Sequence, residues 1–202
     1  MVATEIIRTI SVILAAGSFI WGIIAWRKEF IGKRKIELAE NVLTLFYQAS
    51  DVINFMRSSY VHSGEGKSRK RLESETKEET ELLDKANVTF ERYQRHSEFF
   101  SELWAIKYRF MAVFGKEAGE PFNEFKVLVQ DILSSTELLS SYYRQKQSGY
   151  IKDENTYHEL LERIRKTEAV VWFMGKDNDE IGPRVRKIIG VVEKITETAF
   201  KR

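Results

Sequence analysis

Leu38-Ala-Glu-Asn-Val-Leu-Thr-Leu-Phe-Tyr-Gln-Ala-Ser-Asp-Val-Ile-Asn-Phe-Met56 places Leu38, Val42, Leu45, Ala49, Val52 and Met56 at alternating steps of four and three, with Ala39, Leu43, Phe46 and Ile53 as a second row beside them. Steps of three and four return to the same side of an α-helix. Two adjacent apolar rows make a face broader than a coiled-coil seam, of the kind that packs against several neighbours at once. The stretch therefore reads as one helix of a bundle, running from Lys28 to about Tyr60.

Upstream of it, Thr9 to Trp26 hold eighteen consecutive uncharged residues between Arg8 and Arg27. As a helix this run reaches about 27 Å, close to the roughly 30 Å of a bilayer's hydrocarbon core. Residues 1–27 thus read as a leader and transmembrane helix, and 28–202 as a helical domain continuing from it. A removed signal peptide fits less well. Its apolar core is usually about 7 to 15 residues long, whereas here Ala15, Ala16 and Gly17 lie mid-run, and Trp21 and Trp26 stand where an interface belongs.

The flanks set an orientation. Arg27, Lys28, Lys33, Arg34 and Lys35 follow the run against a single Glu29. By the positive-inside rule residues 28–202 are cytoplasmic and the N-terminus lies outside, leaving those five cations placed to meet anionic lipid headgroups. The lack of cysteine agrees with a reducing compartment. Ser11, Ala15, Ser18, Gly22 and Ala25 share one face at the same three-four spacing. Such a face permits close helix packing in lipid and a homo-oligomer, or reflects only the small residues common in spans.

Downstream, the chain has two prolines and no alternating strand pattern bounded by turn residues. The expected fold class is all-α: one N-terminal transmembrane helix followed by a cytoplasmic antiparallel bundle of about five long helices. A polar loop runs from His62 to about Thr76. A second helix spans about Glu78 to Phe114, with Gly115 as its stop. Pro121 opens a third that reaches about Gln147 before Gly149. Asp153 caps a fourth, closed by Gly175, and a fifth follows Pro183.

Glu37 to Tyr47, Arg57-Ser58 followed by Gly64-Glu-Gly66, Tyr108-Arg-Phe-Met111 through Phe114-Gly115, and Gly182-Pro183-Arg184 resemble an uncharacterised family of small bacterial single-span membrane-anchored helical proteins. The resemblance implies a bacterial inner-membrane protein with one anchor and a cytosolic helical domain. It implies no activity and no site residue.

Motifs that carry chemistry are few. Gly66-Lys67-Ser68 looks like the tail of a phosphate-binding loop, but Val61 stands where the first glycine belongs and no strand precedes it. Arg57 and His62, with four residues between them, match the spacing of all-helical ribonucleases of the HEPN type. There an arginine stabilises a phosphorane and a histidine moves a proton; the plainer reading puts Arg57 at a helix end and His62 in a solvated loop. Glu154, His158 and Glu162 share a face at a spacing usual for solvated charge pairs. No metal site or cofactor is expected.

The aromatics Phe90, Tyr93, Phe99, Phe100, Trp104, Tyr108, Phe110 and Phe114 follow helical spacing and read as core. Lysine and arginine number 32 against 30 acids, a net charge of +2, and the basic run Lys67 to Arg71 gives way to Glu73, Glu75, Glu78, Glu79 and Glu81. That balance argues against a nucleic-acid partner and for a mobile charged loop. The expected role is a membrane-anchored, non-enzymatic interaction or assembly protein with an unidentified protein partner. Two alternatives stand beside it: a stress or phage-defence effector acting on the bilayer, and a ribonuclease using Arg57 and His62.

Overall fold

The helix that begins at Val2 does not end until Met56. This is α1, 55 residues long, or about 82 Å at 1.5 Å per residue. The computed structural model describes the backbone of residues 2–149, 151 and 153–201, with side chains at 14, 17–149, 151 and 153–201. Among these residues the chain is all-helical, with no strand: α2 (Lys77–Arg95), α3 (Ser97–Phe114), α4 (Glu120–Gln147), α5 (Glu154–Val171) and α6 (Ile181–Phe200) follow α1.

Two apolar clusters hold the helices together, and α4 belongs to both. The larger joins the second half of α1 to α3, α4 and α6. It contains Leu38, Val42, Leu45, Phe46, Ala49, Ile53 and Met56, as the spacing of that stretch predicts, with Leu43 and Val52 packed at its edge. Phe46 meets Phe122 and Phe125 edge-on at 4.9 and 5.8 Å between ring centroids, the arrangement aromatic quadrupoles favour. The smaller cluster sets Leu83 and Ala86 of α2 against Leu139 and Tyr143 of α4 and against Leu160, Ile164 and Val171 of α5.

Several boundaries follow the expected caps. Gly115 ends α3 at φ 99°, Pro121 lies in the first turn of α4, and the Asp153 carboxylate accepts from the Thr156 N–H to open α5. Three depart from expectation. The helix expected over about 78–114 is broken at His96, whose Nδ1 meets the Arg92 carbonyl at 2.9 Å. The backbone N–H of His96 turns to Tyr93 O instead, so six helices form rather than about five. The helix from α5 stops at Val171, not Gly175. The first helix stops at Met56, and residues 57–76 form a loop tied to α2 by ion pairs.

The first half of α1 stands apart from both clusters. Every side chain from residue 17 to 31 is exposed, including Phe19 at 70 %, Trp21 at 74 % and Trp26 at 64 %. Among the described residues, no helix is long and apolar enough to cross a membrane. The expected span, residues 9–26, falls partly outside the described side chains, as do Ser11 and Ala15 of its small face. Ser18, Gly22 and Ala25 are described and exposed.

Candidate functional site

Arg57 is the residue on which the ribonuclease reading depends, and it is only 1 % exposed. It lies one residue past the end of α1 and reaches the end of α5. Its Nε donates to Val170 O at 2.8 Å and its Nη2 to Ala169 O at 2.8 Å. Nη1 donates to Asp179 Oδ1 at 2.7 Å. A helix C-terminus presents unsatisfied carbonyls and a partial negative charge, and a guanidinium answers both. Asp179 also accepts from the Gly182 N–H at the start of α6. Burial pushes the Asp179 carboxyl up, yet the Arg57 hydrogen bond and the backbone N–H groups hold it below its ordinary value. Arg57 thereby ties three helix ends together.

His62 has a different setting. It is exposed, edge-on to Tyr60 at 5.0 Å between centroids, and no hydrogen bond joins it to Arg57 among the described residues. The pair's spacing is present, while every nitrogen of the Arg57 fork already donates within the protein.

A second buried arginine does for α1 what Arg57 does for α5. Arg92, 1 % exposed, donates through Nη1 to Phe55 O at 3.0 Å and Ser58 O at 2.7 Å, and through Nη2 to Tyr60 O at 2.5 Å. Its charge is balanced by Glu65, at 2.7 Å from Nη2. The Arg92 hydrogen bond, opposed by burial and helped by the His62 N–H, holds the Glu65 carboxyl down at about 2.

The glycine-lysine-serine segment does bind an anion, and that anion is the chain's own Glu91. Gly66 N–H and Ser68 N–H each donate to its carboxylate at 2.8 Å. Gly66 has φ 83°, and a Cβ there would overlap the Asp84 carbonyl, so the turn requires glycine. The arginines of the basic run are likewise paired within the protein. Arg69 bridges Glu75 and Asp84, and Arg71 meets Asp84 at 2.6 Å.

Among the described residues no group of histidines and carboxylates could hold a metal ion. His158 stands 4.0 Å from Glu154, both exposed. The aromatic row packs largely as expected, with Phe100 and Phe110 buried and Tyr93, Phe99, Trp104 and Phe114 against the core. Tyr108 is 72 % exposed and Phe90 37 %.

The five cations that follow the apolar run divide. Arg27, Lys28, Lys33 and Arg34 are exposed and Lys35 is half-buried. Lys33 pairs with Glu29 at 2.9 Å. Arg34 lies over the Phe30 ring at 4.5 Å and Lys35 over Phe114 at 5.0 Å. Sequence reasoning missed the partners that make Arg57 and Arg92 structural. Asp179 lies 122 positions from Arg57, and Glu65 lies 27 from Arg92, beyond the reach of any local spacing rule. No family model matches the chain, and no curated protein or solved structure matches it.

Proposed function

We propose that the chain is a membrane-anchored, non-enzymatic interaction or assembly protein, fixed by residues 9–26 with its helical domain, 28–202, on the cytoplasmic side of a bacterial inner membrane. One observation carries the reading. Six of the eight residues from 19 to 26 are large and apolar, namely Phe19, Ile20, Trp21, Ile23, Ile24 and Trp26, and all six are exposed on a helix that leaves the bundle. Successive residues on a helix point about 100° apart, so this segment is apolar on every side. A helix apolar all round is one surrounded by other apolar matter, and contiguous exposed apolar surface marks a membrane or partner site.

Continuity of α1 supports a positional mechanism. The same helix that would cross the bilayer supplies the core residues Leu38 to Met56, so the domain's place is fixed relative to the anchor without a flexible linker. A partner held by the domain gains effective concentration at the inner leaflet. The positions of Ser18, Gly22 and Ala25, all exposed, are compatible with association of anchors. The engaged fork of Arg57 favours this reading over the ribonuclease.

The test is topological. A reporter fused after Arg202 is expected to behave as cytoplasmic, because five cations follow the apolar run. Periplasmic activity of the reporter would overturn the orientation.

A further inference from the structure

Where α1 meets α3, the two helices leave a groove of about 550 Å³. Its floor is apolar, formed by Phe30, Ile31 and Leu38 of α1 and Val113 of α3, and its rim is cationic, formed by Arg34 and Lys35 of α1 and Arg109 of α3. No carboxylate lines it. Lys33, one position away, has its charge met by Glu29, whereas Arg34, Lys35 and Arg109 make no ion pair among the described residues. The apolar floor stays open to solvent: Ile31 is 60 % exposed and Val113 47 %.

We infer that this groove binds one anionic phospholipid of the leaflet from which α1 emerges, its phosphate held by Arg34, Lys35 and Arg109 and an acyl chain laid along Phe30, Ile31 and Val113. The inference rests on the reading of residues 9–26 as the anchor. Given that anchor, the near end of the groove lies at the outer edge of the headgroup layer and its cations lie just beyond it. Phe30 follows Trp26 by four residues, or about 6 Å, and Lys35 by nine, or about 14 Å. The headgroup layer is roughly 5–7 Å deep on each side of the hydrocarbon. Helical side chains lean toward their own N-terminus, which on α1 is toward the bilayer, so the Arg34 and Lys35 heads tilt toward the phosphates.

Charge and shape both select the occupant. Three unpaired cations disfavour a basic partner or a neutral lipid. A free anion would leave the apolar floor uncovered. A lipid meets the cations and the floor together, and its source lies next to the site. Arg109 is the distinctive element, since it reaches the groove from α3, whereas Arg34 and Lys35 would face headgroups on any anchored helix.

The experiment uses the full chain in detergent micelles. Phosphatidylglycerol or phosphatidylcholine is added, and retained lipid is counted by native mass spectrometry. Phosphatidylglycerol is expected to be retained over phosphatidylcholine, and Arg109→Glu is expected to reduce that affinity roughly tenfold, on the scale of a reversed surface charge. Lys126→Glu, on the exposed side of α4, should match the parent. Arg109 is exposed, so its replacement spares the core. Arg109→Gln, which removes the charge and keeps the bulk, provides a second variant with a smaller loss.

Equal retention by the parent and both Arg109 variants would overturn the inference. So would displacement of the lipid by inorganic phosphate, or a second copy of the chain bound in its place. Alkaline washing of native membranes separates the two readings. A chain that is washed out overturns both the anchor and the groove. A chain that stays in the membrane yet shows no loss on Arg109→Glu overturns the groove alone.

Discussion

Replacing Arg57 by alanine is expected to destabilise the protein by about 3–5 kcal/mol, the usual cost of removing one partner from a buried charged pair. For a chain of this length that lowers the thermal midpoint by about 10 °C. The loss has three parts. Asp179 keeps its burial without its cation, the Ala169 and Val170 carbonyls at the end of α5 lose their donors, and the joint between α1, α5 and α6 opens. Arg57→Lys should recover only part of the loss, because an ammonium cannot reproduce the fork that reaches both carbonyls and carboxylate. A catalytic arginine with no structural duty would behave differently, its alanine variant melting like the parent. Differential scanning calorimetry of the two variants decides between them.

Arg92→Ala is the second large effect, of similar size and with a pH signature. In the folded protein Glu65 is held at about 2, well below its ordinary value near 4.5, chiefly by Arg92. A carboxyl lowered on folding contributes stability that is complete above pH about 4.5 and lost as pH falls toward 2. Alanine at 92 removes the main cause of that lowering. The gap in stability between parent and variant should therefore be widest near neutral pH and narrow as pH falls from 4.5 toward 2. Glu75, held at about 2 chiefly by Arg69, stays paired in both proteins, so each still loses some stability in acid. A gap that is constant across this window would mean that Glu65 is not the partner whose charge matters.

The parts of the fold legible in the sequence are those fixed by near neighbours. The rows from Leu38 to Met56 repeat with the helical period, and their burial follows from it. Gly115, Pro121 and Asp153 act through bonds spanning three or four residues, so their roles could be read directly. The break at His96 could not, because the apolar rows run on through it from Leu83 to Phe110. What interrupts the helix is a side chain taking one carbonyl. α5 ends four residues before Gly175 for a related reason: Arg57, more than a hundred positions earlier, donates to the Ala169 and Val170 carbonyls there, and Gly175 with φ 100° instead shapes the turn before α6.

The candidate site divides in the same way. Arg57 and His62 were found by spacing, but spacing carries no information about Asp179 or the α5 carbonyls. The loop at 57–76 has the composition of a mobile segment. It is ordered by Arg69 with Glu75 and Asp84, and by Glu91 under the Gly66 and Ser68 amides, contacts that only the folded arrangement of α2 reveals. Arg109 belongs to the same class, having no relation to Arg34 until α3 is packed on α1.

The proposed anchor, residues 9–26, is tested by alkaline carbonate extraction of membranes from cells expressing the full chain. A protein anchored through that segment stays in the pellet, and the pair of changes Gly17→Arg and Ile20→Arg, both within a turn of its middle, releases it, because each arginine at the centre of a span costs about 2.5–3.5 kcal/mol on the insertion scale. Recovery of the parent chain in the alkaline supernatant would show that residues 9–26 do not anchor it.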